Sequence, residues 1–192
     1  GSDAFHLAAT NAGFTGTMFI HGDDPALSGD VLVVNGAAGT VTVDHANGTV
    51  AGVLDAAAAQ LVDYGTIERL LVNAGASATL AMTGSADYTV NPGAETDQGE
   101  VLSSGVPVDF DGFGSGDTLA LAGTGAGTVT VNGTAANDVF TVEKPAAVDT
   151  VTITGRATIT ATALPTAPLN ADEGEAEFHV NGNPTLTTLT VH

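Results

Sequence analysis

Residues 118–142 read TLALAGTGAGTVTVNGTAANDVFTV: three short runs in which apolar residues alternate with small polar ones, divided by turns of Gly, Ala, Asn and Asp, with no Lys, Arg, Glu or Pro inside. Alternation of period two gives each run one apolar face, and Gly, Asn and Asp accommodate tight turns, so the stretch reads strand, turn, strand, turn, strand. Related patterns occur on both sides. MFIHG ends at Gly22, LLVNAG at Gly75, ALAG at Gly123 and FHVNG at Gly182; VLVVNG ends at Gly36, TLAMTG at Gly84 and TVTVNG at Gly133. A third register holds TVTVD (40–44), DYTVN (87–91) and VFTVE (139–143). Gly36, Gly84 and Gly133 are 48 and 49 residues apart. A period near 48 divides a single repeat domain, 1–192, into copies at roughly 15–65, 66–112 and 113–172 with a partial copy at 173–192.

Five-residue strands returning about every 24 residues predict an all-β fold, a right-handed parallel β-solenoid with two circuits per repeat. The rival is an antiparallel β-sandwich, which also accommodates about a dozen short strands with turn signals. The alternation places Leu32, Val34, Val41, Val43, Leu71, Leu80, Met82, Leu119, Leu121, Val129, Val131, Phe140, Val142, Val151 and Ile153 inside, with the intervening Thr and Asn outward or in ladders. The linking halves are less regular. AAAAQL after Asp55 has helical propensity, yet its counterpart before Asp117 contains Gly105 and Pro107, so both read as extended, with a short helical turn near Asp55. The third linker begins with strand-like VTIT and ATITAT and turns into a Pro-rich acidic loop that projects from the body.

The 43 % hydrophobic content supports a continuous core. Against 22 acidic residues stand three basic ones, Arg69, Lys144 and Arg156, for a formal charge of -19. Such a field repels nucleic acid and anionic membranes and attracts divalent cations. No apolar run approaches the roughly 20 residues that span a bilayer, so membrane insertion is not expected. The absence of Cys excludes disulfides and thiolate metal sites. Gly1 and Ser2 read as a cloning scar on a segment trimmed from something longer.

GTAANDVFTV (133–142), GFGSGDTLAL (112–121) and TIERLLVNAG (66–75) resemble repeats of very long secreted and cell-surface bacterial proteins, similar to degenerate RTX repeats. The resemblance implies an extracellular or cell-surface location and glycine turns in which an Asp holds calcium between coils. Gly112, Gly114, Gly116 and Asp117 follow that pattern loosely, and Asn137 with Asp138 more weakly; tandem nonapeptides are missing.

The densest acidic cluster, DFDGFGSGD, makes Asp109, Asp111 and Asp117 the candidate ligands for Ca2+, with a polar turn as the plain alternative. A polysaccharide lyase or hydrolase would use Asp63, Asp109 and Asp111, which recur at matching repeat positions, but only three basic residues are available to assist. The five histidines are scattered singly and form no zinc spacing. Thr at alternate positions in TVTV, TITATA and TLTTLTV suggests a third possibility, an ice-binding face, although Thr83, Asn35 and Asn132 break one ladder. The expectation is a non-catalytic spacer or adhesin-type stalk segment. Its partners would be a cell-surface polysaccharide or protein, or further copies met through its ends or edges.

Overall fold

A computed structural model of the chain describes residues 2–7, 16–22, 29–35, 39–52, 61–75, 78–123, 128–135, 138–143, 149–162, 177–181 and 188–191. The described residues form strands and turns without a helix. In chain order the strands are β1 (Ala4–Leu7), β2 (Thr17–His21), β3 (Val31–Asn35), β4 (Thr40–Asp44), β5 (Thr49–Ala51), β6 (Leu61–Gly65), β7 (Arg69–Asn73), β8 (Thr79–Ser85) and β9 (Tyr88–Pro92). There follow β10 (Gly99–Ser103), β11 (Val108–Asp111), β12 (Thr118–Gly123), β13 (Thr128–Asn132), β14 (Val139–Glu143), β15 (Asp149–Ile153), β16 (Thr158–Thr162), β17 (Glu177–Asn181) and β18 (Thr188–Val191). They make two sheets. The eight-stranded sheet has the order β1-β3-β7-β11-β10-β9-β13-β17, and the ten-stranded sheet β18-β14-β15-β16-β12-β8-β4-β5-β6-β2.

Beneath these orders lies a cycle of five strands. Taking β2–β6, β7–β11 and β12–β16 as successive cycles, the first strand pairs in parallel with the fifth each time: β2 with β6, β7 with β11, β12 with β16. The third, fourth and fifth form an antiparallel meander. The second strand of each cycle pairs in parallel with the first of the next: β3 with β7, β8 with β12, β13 with β17. The third pairs in parallel with the second of the next: β4 with β8, β9 with β13, β14 with β18. β1 stands beside β3 as a third strand would. Within a cycle the chain changes sheet after the first, second and fifth strands, an odd number of changes, so successive cycles begin in opposite sheets.

The all-β expectation therefore holds, but the sheets are mixed. Uniformly parallel coils do not describe them, because the fourth strand of each cycle (β5, β10, β15) runs against both its neighbours. An antiparallel sandwich does not describe them either, since most ladders are parallel. Strands at one place in the cycle start about 48 residues apart, as β3, β8 and β13 do at 31, 79 and 128. Pairing partners in the middle of the chain are closer in sequence: Leu32 lies opposite Leu70, and Thr79 opposite Thr118.

One apolar cluster draws on both sheets, so their inner faces share a core. Strand after strand shows the same alternation, as in β4, where Val41 and Val43 are buried between more exposed neighbours. The residues expected inside are buried with two exceptions: the side chain of Val142 lies outside the described residues, and Leu71 faces outward. In β7 the buried pair is Leu70 and Val72, because register sets them beside Leu32 and Val34 of β3 and Val108 and Phe110 of β11, all core residues. The doublet Leu70-Leu71 suits either phase, and only the neighbours select one.

Tyr88 fastens the two sheets together. Its ring is buried, its hydroxyl donates to the Ala122 carbonyl at 3.1 Å and accepts from the Ser85 N–H at 3.3 Å. The chain passes from β8 to β9, and from one sheet to the other, across two residues. Gly84 makes this possible: at φ +86° it sits at a bulge where the pairing with β12 shifts register, and a Cβ there would lie 2.4 Å from the Ala46 nitrogen. The extended segment near Asp55 and the projecting acidic loop of the third linker fall at residues 53–60 and 163–176, outside the described residues.

Candidate functional site

On the outer face of the eight-stranded sheet, β7, β9, β10 and β11 enclose an open depression of about 430 Å³. Its side chains arrive by register. Glu100 of β10 lies opposite Asp109 of β11, and Asp109 opposite Leu71 of β7, so Arg69 reaches across both carboxylates. The guanidinium donates from Nε and Nη2 to Asp109, the latter at 2.8 Å, and from Nη2 to Glu100 at 2.6 Å. These hydrogen bonds, that with Asp109 foremost, hold the Arg69 pKa above its ordinary value. The group is nonetheless exposed, and pairs of this kind contribute only ~0.2–1 kcal/mol. Asn91 donates to the other Glu100 oxygen at 3.2 Å, and Gln98 donates to Asp111 at 3.2 Å.

One cation thus faces three carboxylates, Glu100, Asp109 and Asp111. The surplus negative charge disfavours anionic ligands, while the amides and carboxylates suit hydroxyl-rich neutral ones. A second cation borders the same hairpin: Arg156, in the turn before β16, donates to the carbonyls of Glu95 (2.8 Å), Gln98 (3.2 Å) and Gly93 (3.1 Å), fixing the β9–β10 loop to the other sheet.

The three Asp residues considered for calcium do not converge. Asp109 pairs with Arg69 and Asp111 with Gln98, both on the depression, whereas Asp117 is absent from its lining. Asp117 accepts from the Gly114 N–H at 2.8 Å, closing the Gly-rich turn, and from the Ala78 N–H at 2.6 Å. That second bond belongs to a recurring arrangement at strand starts: the Asp3 N–H donates to Asp30 (2.7 Å), Asp30 N–H to Glu68 (2.6 Å) and Thr128 N–H to Asp87 (2.8 Å). Carboxylates here satisfy backbone donors that the ladder leaves unpaired. Asp138 does the same for the Thr134 N–H at 2.6 Å, and Asn137 lies outside the described residues. Among the described residues no group of three His, Asp or Glu side chains gathers to hold a metal ion.

Asp63, matched in sequence with Asp109, is the third residue of β6 and stands 3.6 Å from His21. β6 and β11 are both fifth strands, but of successive cycles, and so belong to opposite sheets. The two carboxylates therefore do not line one groove. His21 on β2 and His179 on β17 are likewise in opposite sheets. His45 bridges the turn after β4 to β10, its Nε2 3.2 Å from the Ser103 hydroxyl and its Nδ1 buried without a partner among the described residues. Burial lowers its pKa, against an opposing pull from Asp44.

Sequence reading missed Glu100, Gln98 and Arg69 as a group because their meeting depends on the order β7-β11-β10. The Asn ending several of the strands was visible as a motif and proves to form ladders: Asn73 donates to Asn35 at 2.7 Å, and Asn132 to Asn91 at 2.6 Å. Comparison of the chain with protein-family models, with curated proteins and with solved structures found no match.

Proposed function

We propose that the chain is a segment of a solenoid-like structural array, a non-catalytic spacer or adhesin-type stalk of a secreted or surface-attached bacterial repeat protein. The observation that carries this reading is the five-strand cycle, which repeats the same pairing three times while passing the chain from sheet to sheet. Each cycle supplies five strands to two sheets. At a strand spacing of about 4.8 Å the array lengthens by ~12 Å per cycle. A protein built in this way holds its ends apart at fixed distance. Its outer depression and acidic surface would serve contact with a neutral surface polysaccharide or a protein.

The test is small-angle scattering on a chain carrying one further pair of cycles, residues 31–127 duplicated in frame. The expected result is a maximum dimension greater by ~24 Å with an unchanged cross-section. A thicker particle of unchanged length would refute the array. Melting in calcium and in EDTA bears on the cation reading: a higher melting temperature in calcium supports it, and identical curves remove it.

A second reading, an ice-binding face, is favoured by one specific feature. Thr40, Thr79, Thr118, Thr158, Thr152, Thr141 and Thr190 are successive register partners across seven neighbouring strands of the ten-stranded sheet. Asn35 and Asn132, which seemed to break a ladder, belong to the other sheet. Rows of hydroxyls and methyls at strand spacing can order water. Thermal hysteresis abolished by Thr118→Tyr would support this reading, and growth of ice at its ordinary rate would remove it.

A further inference from the structure

We propose that a second copy of this chain docks on the outermost described strand of the ten-stranded sheet, its β2 pairing in parallel with β18 of the first copy. The five-strand cycle leads to this pairing. A second-position strand in the interior is flanked on one side by a third strand and on the other by a first strand, both parallel: β8 lies between β4 and β12, and β13 between β9 and β17. β18 holds the second position and has its third-position neighbour, β14, but no first-position neighbour among the described residues. β2 holds the first position and has its fifth-position neighbour, β6, but no second-position neighbour among them. Among the described residues each edge therefore lacks the neighbour that the other strand supplies.

The register follows from the interior pairs. Thr79 lies opposite Thr118 and Leu80 opposite Leu119 in β8–β12, which sets Thr188 opposite Thr17, Leu189 opposite Met18, Thr190 opposite Phe19 and Val191 opposite Ile20 of the neighbouring copy. Leu189, the register partner of buried Phe140, thus falls in line with Met18, which packs against the core.

Two further observations bear on the occupant. Phe19 is 68 % exposed, while Leu71 and Ala120, at the same place in later cycles and flanked by strands on both sides, are only partly exposed. The two edge strands, TMFIH and TLTV, contain none of the chain's 22 acidic residues and no Lys or Pro, so they lack the usual guards against strand addition. In the facing sheet the same junction brings β17, a first strand, toward β1, which stands as a third strand, with two strand places, roughly 10 Å, between them. A junction of one ladder dissociates on dilution. With a charge of -19 on each copy, it strengthens as salt screens the repulsion.

The inference rests on the strand cycle and is independent of the spacer reading, since a chain that stays monomeric would still lengthen with each added cycle. The test uses the absence of Cys from the chain. Thr190→Cys combined with Phe19→Cys places two thiols on paired parallel positions, within the Cα separation of about 4.4–6.8 Å that a disulfide needs. Oxidation should yield a ladder of dimers and longer chains on a non-reducing gel, at least tenfold more than Thr188→Cys with Phe19→Cys. Equal yields from the two pairs would overturn the register. Sedimentation of the unmodified chain between about 1 µM and about 1 mM supplies the second measurement. Concentration-dependent association that Phe19→Lys abolishes supports the docking. Monomers throughout, as when the edge is filled by a flanking segment of the same polypeptide, overturn it, as does association that Phe19→Lys leaves intact.

Discussion

Replacing Leu70 and Leu71 by Ala, one at a time, tests the phase of β7 and with it the pairing of three strands. Leu70 is fully buried, and its register partners Leu32 and Val108 are fully buried too. Those partners are held by backbone ladders on either side, so the space left by Leu70→Ala cannot collapse. The cost should reach about 3 kcal/mol, within the range for buried Leu truncations. Leu71 points to the outer depression and is half-buried, so Leu71→Ala should cost about 1 kcal/mol or less. At a urea dependence of about 3 kcal/mol/M, the midpoint falls by about 1 M for Leu70→Ala and by about 0.3 M for Leu71→Ala. Unfolding followed by far-ultraviolet circular dichroism reads the difference. Equal losses, or a greater loss from Leu71→Ala, would refute the assignment of Leu70 to the core and the β3-β7-β11 order built on it.

Tyr64 has a buried hydroxyl without a partner among the described residues, and burial, with a contribution from Asp44, pushes its pKa up to about 12. Tyr64→Phe should therefore stabilise the chain by about 1 kcal/mol in the same urea assay, and a lower midpoint would count against that burial. His45, with its pKa lowered by burial, favours its neutral form in the folded chain. As pH falls below about 6.5 the unfolded chain takes up the proton more readily, so stability is lost through that window and on down to the folded pKa. Melting temperatures between about pH 7.5 and 5.5 should fall less steeply in His45→Gln than in the parent, and parallel slopes would argue against the effect. Arg156→Ala removes three charge-assisted bonds to carbonyls and should cost about 2 kcal/mol. Hydrogen exchange at Gly93 and Gln98 should quicken at the same time, and Arg156→Lys should restore less than half of the loss because an ammonium lacks the planar fork.

Much of the strand layout could be read from residues alone, because alternation and Gly-Asn-Asp turns are local signals. TVTVN at 128–132 and TLALAG at 118–123 are strands with the apolar positions inside, as expected. The allocation of strands to sheets could not be read. Val129-x-Val131 and Leu119-x-Leu121 alternate identically, yet they belong to opposite sheets, because the chain changes sheet after the first strand of each cycle. The antiparallel fourth strand escaped for a related reason. β5 is only three residues long, and nothing in Thr49-Val50-Ala51 declares its direction. At the depression, Asp109 and Asp111 stood out by density of charge, whereas Glu100, 31 positions from Arg69, becomes its partner only through β11. Asp117 was legible as a turn residue from GSGD, and its bond to Ala78 on a neighbouring strand was not.

The odd number of sheet changes has a consequence for how such a protein meets its surroundings. Neighbouring copies of the repeat turn equivalent residues to opposite sides of the ribbon, as Asp63 and Asp109 already do. A patch used for contact on one side returns on that side only in the next copy but one, about 24 Å further along. An array of this kind is a two-sided tape on which odd- and even-numbered copies address different neighbours. Sequence changes confined to one parity would alter one side and leave the other as it was.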